Sequence, residues 1–388
     1  MTDAEVLRDP VAAYAKAREE SPVVRLVAPG FGGIWAVTRH HDAKALLNDP
    51  RFAMTADSWN QRIPDDIRPY MLTMSHMDGP EHTRLRRLAL PAFGTRRAAE
   101  RRALIERITD RLLDDLPGHA ENGTVDLLQH YARPLPTAVV GAVVGIPEDE
   151  RPRWREHIAE IGAGGARYDA ALRAVVDGAR AVIALRRKEP GDDLVSDLLR
   201  AQAEDPDRIT DTEMITMVWH TVLAGQDNLA NFIANSVVGL LSHPDQLAAV
   251  RADPGLMPRA VEELMRWRPP LLLTAIRYAR EDADLCGVPV AKGDSVVAVI
   301  ASANRDPRAF ADPDRLDVTR PAGTAVHYGF GYGPHYCIGG SLALLEAEVA
   351  LTALLRRHPG LALAVPPQDV PRLPNPGSWH LTALPVTL

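Results

Sequence analysis

Gly329-Phe330-Gly331-Tyr332-Gly333-Pro334-His335-Tyr336-Cys337-Ile338-Gly339-Gly340 runs directly into an apolar helical stretch from Ser341 to Leu355. A cysteine placed where a helix begins faces the positive end of the helix dipole and unpaired backbone N–H groups. Its thiol should therefore ionise more readily than a free one. The flanking glycines let the backbone pass close to a flat, bulky object and take conformations that other residues avoid. Without that setting, a lone cysteine would read as an ordinary buried residue in a glycine-rich turn. No Cys or His stands nearby at zinc spacing, and a structural zinc site wants four ligands. A single thiolate ligand and a buried structural cysteine both stay open on these residues alone.

Outward from this loop, apolar residues recur at three- and four-residue intervals through about 96–116, 148–186, 210–242, 257–267 and 339–357, so the fold is expected to be mostly α. Two β-like runs, Cys286 to Val290 and Asp294 to Val299, flank Ala291-Lys292-Gly293 and read as a hairpin in a small β region. Cys286, in the first run, reads as a core residue. The stretch from Thr210 to Ser242 is long for a globular helix, with Asp211 or Thr212 and Glu213 as its expected cap. Its middle, Leu223-Ala224-Gly225-Gln226-Asp227-Asn228, holds poor helix formers and marks a kink, a cap or a site.

A length of 388 residues suggests two or three domains, yet only short Pro-, Gly- or Asp-rich turns separate the periodic segments. One unit spanning 1–388 is the expectation. The acidic start, Met1-Thr2-Asp3-Ala4-Glu5, has no basic or apolar targeting region, and no run of about 18 apolar residues occurs, so neither export nor a membrane anchor is expected. Two cysteines cannot form a disulfide framework, which fits a reducing cytoplasm. A net charge of -7 argues against a general nucleic-acid binder.

Phe330, Gly333, Cys337 and Gly339 fall into Phe-x-x-Gly-x-x-x-Cys-x-Gly, which resembles the haem-binding loop of the cytochrome P450 family. The resemblance implies a single-domain, mostly helical fold enclosing haem b, with the haem between the 210–242 helix and the Cys337 loop. Cys337 would ligate the iron, and thiolate ligation points to oxygen activation rather than storage. Glu263-Leu264-Met265-Arg266 alone would be an ordinary ion pair one helical turn apart. The family carries Glu-x-x-Arg here, and Pro313-Asp314-Arg315 would complete a buried structural charge cluster behind the loop. His82 and Arg86 follow the helix start at Gly79-Pro80 and share a helix face, a basic face if taken alone. By resemblance they bind a haem propionate, as do Arg277 and His335, and Ala224 would also touch the cofactor.

In the family the distal helix reads Ala/Gly-Gly-x-Asp/Glu-Thr, with acid and hydroxyl helping protons reach the oxygen being activated. Here it reads Ala224-Gly225-Gln226-Asp227-Asn228, with asparagine in place of threonine. An amide cannot readily relay a proton as a hydroxyl can. Ordered water, a hydroxyl or amide of the substrate, or a reaction dominated by radical abstraction would each answer the gap. His220 shares the face of Ala224 and Asp227; it is a packing residue or a substrate contact. By resemblance Trp59, Met71, Met74, Leu223, Leu273, Ala275 and Trp379 would line the substrate chamber, or serve as plain core.

The family type without an anchor takes electrons from a ferredoxin served by a ferredoxin reductase, and this chain has no dinucleotide fingerprint of its own. Arg84, Arg86, Arg87, Arg96, Arg97, Arg101 and Arg102 form a basic run that is either a docking face for that acidic partner or a solvated helix. The implied reaction is oxidation of a small or medium organic molecule, by hydroxylation or radical C–C or C–N coupling, in bacterial secondary metabolism. A peroxide-driven enzyme and a haem-based ligand sensor are the competing readings.

Overall fold

In the computed structural model, which describes residues 3–28, 32–54, 63–321, 323 and 325–388, the chain divides into two compact units. One comprises Met1–Ala53, Thr109–Ala132 and Asn228–Leu388; the other comprises Met54–Ile108 and Arg133–Asp227. Helices dominate both. Among the described residues no helix is long and apolar enough to cross a membrane.

The second unit is built from amphipathic helices. Tyr168–Lys188 buries Ala171, Leu172, Val175, Val176, Ala179, Val182 and Ile183, the three- and four-residue spacing of one helix face. It packs on Arg151–Ala163 and on Asp211–Ala224. A β-carbon on Gly178 would lie 2.8 Å from the Trp154 ring, so the glycine sets how closely these helices approach. The apolar run through 148–186 thus forms two helices rather than one. Between them Gly164 and Gly165 take left-handed φ values of 66° and 81°, which helical residues do not.

In the first unit, a five-stranded sheet has the order Val23–Ala28, Gly32–Val37, Ser295–Ala298, Arg277–Ala279, Phe52–Ala53. Its second and third strands pair parallel, with Trp35 opposite Val296, and the other pairs are antiparallel. Helices Met257–Trp267 and Gly340–Arg357 pack on each other in the same unit. The buried Tyr131 hydroxyl donates to the Ala350 carbonyl at 2.7 Å and ties the Thr109–Ala132 segment to the second of these helices.

Two expectations need correction. The hairpin lies one element earlier, with Ala283–Leu285 pairing Val288–Val290, while Ser295–Ala298 joins the larger sheet. Cys286 and Gly287 form its tight turn with φ values of 54° and 86°, the doubly left-handed geometry that suits the twist of a two-residue hairpin. Cys286 is consequently exposed rather than a core residue.

The long helix is likewise interrupted. Asp211–Ala224 stops at Gly225, and a new helix runs over Asp227–Leu241. Its cap is Thr210, not Asp211 or Thr212. The Thr210 hydroxyl accepts from the Glu213 N–H while the Glu213 carboxylate accepts from the Thr210 N–H, a reciprocal capping box.

Candidate active site

The Cys337 loop is held largely by its own backbone. Cys337 N–H donates to the Phe330 carbonyl at 2.8 Å, Gly331 N–H to Tyr328 at 2.9 Å and Tyr336 N–H to Gly333 at 3.0 Å. Gly331 and Gly333 take φ values of 72° and 71°, where a side chain is strained. At Gly333 a β-carbon would also lie 2.7 Å from the Asn48 Oδ1 atom and 2.9 Å from the Leu47 carbonyl. At Gly329 it would lie 2.5 Å from Met265. At Gly339, by contrast, it would meet nothing within 4 Å. The result is a rigid loop presenting an exposed thiol three residues before the Gly340–Arg357 helix, with open space over Gly339.

Behind the loop lies a charge cluster built on a buried pair. Glu263 and Arg266 form a bidentate pair with both contacts at 2.7 Å, and Arg266 also donates to the carbonyls of Asn304, Pro313 and Arg315. The third charged member is Arg320, whose Nε donates to Glu263 at 3.1 Å, and not the side chain of Arg315. Arg315 is exposed and contributes only its carbonyl. Glu263 further accepts from the Asp317 N–H at 3.0 Å. The cluster fixes the chain between Asn304 and Arg320 behind the helix whose Met265 abuts Gly329.

Phe330 and His335 are half-buried, with His335 closing the turn Gly333–His335. Arg277 is buried in the same unit on the Arg277–Ala279 strand, with its Nη1 donating to the Phe52 carbonyl at 3.1 Å. One thiol on a stiff glycine loop, with Arg277 and His335 on the same unit, could hold a planar anionic cofactor by a single axial bond. Among the described residues no group of three His, Cys, Asp or Glu could hold a bare metal ion. Haem, which brings its other iron ligands with it, fits this donor set.

In the other unit, His82 is buried and Arg86 half-buried on the Gly79–Phe93 helix, four residues apart as expected. His220 and Met74 do come together, lining with Leu72, Thr73, Leu85, Glu213, Thr216 and Met217 a small cleft that is continuous with solvent. Burial, reinforced by the neighbouring His76, pushes the His220 imidazole down to about 4, so it is neutral at physiological pH. Its Nε2 lies 3.4 Å from the Ser75 hydroxyl. Next to it the Trp219 indole donates to the Tyr70 carbonyl at 2.9 Å, which anchors the turn leading into the cleft.

The other expected lining residues divide. Met71 is buried in the core and Leu223 half-buried. In the first unit Leu273 and Trp379 pack on a cluster built around Tyr14, Leu272 and Val299, while Ala275 is exposed. Trp59 lies outside the described residues. Ala224 and Asp227 are exposed and Asn228 half-buried on either side of the helix break.

Gln226, which sequence reasoning passed over, is buried inside that break and accepts from Thr137 at 3.3 Å. At the break Gly225 packs tightly on Val140, whose side chain a β-carbon there would approach to 2.8 Å. Neither partner is near in sequence, so only the packed helix reveals them.

Most of the basic run is internally paired. Arg84 pairs with Glu213, Arg97 with Asp192 and Glu100, Arg96 with Glu100 and Arg102 with Glu106. Arg101 donates to the Ala92 carbonyl at 2.5 Å. These pairs leave a less basic face than the sequence alone indicates.

Comparison with known proteins gives one consistent pattern. Residues 255–385 match the family model described as Cytochrome P450. The chain is 40% identical to Cytochrome P450 107B1 of Saccharopolyspora erythraea, over 92% of this chain and 89% of that protein. It is 37% identical to Cytochrome P450 monooxygenase PikC of Streptomyces venezuelae, over 97% and 91% of the two chains. Its structure is similar to that of the bacillaene polyketide synthase cytochrome P450 PksS of Bacillus subtilis. That match has a TM-score of 0.90 and 32% identity, and covers 100% of this chain and 98% of the other.

Proposed function

Because the chain belongs to the cytochrome P450 family, we propose that residues 1–388 act as one haem-thiolate domain in which the Cys337 thiolate would hold the iron of haem b. The enzyme is a P450-type monooxygenase. The observation that carries the assignment of Cys337 is the backbone-tied glycine loop, which presents one exposed thiol to open space. Haem supplies the oxygen-activating iron, whose reactivity toward O–O cleavage a thiolate ligand promotes. On the haem that the family binds, Arg277 and His335 would neutralise propionate charge, with Phe330 and Gly339 as further cofactor contacts; the roles of His82, Arg86 and Ala224 rest on the family resemblance alone. Arg277 is pre-oriented for this by its bond to the Phe52 carbonyl.

Electrons come from a ferredoxin and its reductase, and the product is an oxidised small or medium organic molecule of bacterial secondary metabolism, formed in the cytoplasm by hydroxylation or radical coupling. His220, neutral and within the cleft, offers that substrate one hydrogen-bond donor or acceptor. Asp227 and Asn228, at the helix break, would handle the protons that oxygen activation consumes. The Asn228 amide positions water or a substrate hydroxyl instead of relaying a proton itself.

Replacing Asn228 with threonine should raise product formed per electron consumed, or shift the product pattern. The measurement is NADPH consumed against product in the ferredoxin-coupled reaction; no change in either quantity makes the substitution functionally silent. Asn228 also favours a second reading, in which peroxide drives the reaction. Turnover with hydrogen peroxide exceeding the ferredoxin-supported rate would select it.

The depressed His220 also has a thermodynamic consequence. The unfolded chain protonates this histidine near its ordinary 6.5 and the folded chain only near 4, so protons favour unfolding between those values. Stability associated with His220 is full above pH 6.5 and falls away toward pH 4. In urea denaturation at pH 5 and pH 7, His220→Phe should lose less stability on acidification than the parent protein. An equal loss in both would remove the assignment of a buried neutral imidazole.

A further inference from the structure

Trp379 sits beside the end of the Met257–Trp267 helix, because its N–H donates to the Pro270 carbonyl at 2.8 Å. Two guanidinium groups lie against its ring, Arg268 at 4.8 Å from the centroid and Arg372 at 4.4 Å. Cation–π contact offsets part of the cost of bringing two like charges together, but it satisfies none of their N–H donors. Among the described residues the Arg268 side chain makes no hydrogen bond and no ion pair, and its Nε is buried without a partner. Arg372 donates its Nη2 to the Arg8 carbonyl, while its Nη1 is also buried without a partner.

The neighbouring arginines are different. Arg305 is bonded to Asp314 and the Trp267 carbonyl, and Arg266 to Glu263. Among the described residues Asp9 is the acid whose charge reaches both Arg268 and Arg372, and its carboxylate already accepts from the Ala12 N–H as a helix cap. Burial and the adjacent Arg305 and Arg372 push Arg268 down to about 10, which still leaves it charged at neutral pH. Two charged forks fixed against one indole and short of acceptors form a cradle suited to a planar or tetrahedral oxyanion.

We propose that Arg268 and Arg372, packed on Trp379, bind one oxyanion group, either the carboxylate of an organic molecule or a free phosphate. Isothermal titration calorimetry on the haem-loaded full chain tests this with inorganic phosphate in one arm and hexanoate in the other, at ionic strength held constant with sodium chloride. At least one of the two should bind saturably, with affinity reduced ~10-fold or more in Arg268→Gln and in Arg372→Gln, as expected when a charge-assisted fork is removed. Tighter binding of hexanoate assigns the site to the anionic end of an organic molecule, and tighter binding of phosphate assigns it to the free ion. Should Arg268→Gln not fold, the more exposed Arg372→Gln carries the test. Heats indistinguishable from the chloride control in both arms, or affinities unchanged in the variants, would overturn the proposal.

Discussion

Replacing Cys337 with serine is expected to abolish the red-shifted absorption band of the reduced, carbon monoxide-treated protein and to reduce substrate oxidation to background. A serine hydroxyl stays protonated near neutral pH and cannot supply the soft, electron-donating anion that a thiolate does. The loop itself should survive. The backbone bonds from the Cys337 N–H to Phe330 and from the Tyr336 N–H to Gly333 do not involve the sulfur. Because the side chain is exposed, the exchange should alter apoprotein stability by no more than about 0.5 kcal/mol, the usual range for surface substitutions. Spectroscopy and urea denaturation on one preparation therefore separate lost ligation from lost folding. A Cys337→Ser protein that keeps the shifted band would place the iron ligand elsewhere and end the functional reading.

The second large effect is structural. Glu263→Ala leaves Arg266 and Arg320 buried or nearly so without their shared carboxylate, and orphans the Asp317 N–H. Breaking one partner out of a buried pair typically costs about 3–5 kcal/mol. That is a large part of the roughly 5–15 kcal/mol that holds an ordinary domain together. The urea midpoint should drop sharply, and haem incorporation should fall with it because the chain between Asn304 and Arg320 is released. Glu263→Met combined with Arg266→Met, which removes the pair instead of halving it, should recover part of the loss. A midpoint unaffected by Glu263→Ala would show that the cluster does not hold this segment.

How much of this was legible from residues alone follows from how local each feature is. The Cys337 loop could be read because its glycines, its cysteine and the helix that follows are contiguous, and the bonds that stiffen it join residues within seven positions of each other. Met257–Trp267 and Gly340–Arg357 matched their apolar spacing for the same reason. The third member of the charge cluster was misassigned because it lies in an irregular stretch. There no periodicity says which side chain turns inward, and Arg320 rather than Arg315 does so.

The hairpin was displaced because Cys286-Gly287 does not look like a turn, although glycine second in the pair permits one. The seven arginines read as more basic than they are because two of the acids that pair with them, Asp192 and Glu213, are distant in sequence. His220 and Met74 line one cleft, and the forces that neutralise His220 come from burial and His76, which spacing cannot reveal.

The exposed hairpin thiol bears on how the enzyme can be handled chemically. Partial burial and the nearby carboxylates of Asp42 and Asp284 push Cys286 up to about 11, so at neutral pH it is almost wholly the unreactive acid form. An alkylating reagent applied near pH 7 will modify this position slowly, and a fluorophore meant for it requires alkaline conditions. Sluggish labelling at Cys286 lets a maleimide assay on apoprotein report chiefly on the other sulfur, and protection of that sulfur on adding hemin would then follow cofactor loading in real time.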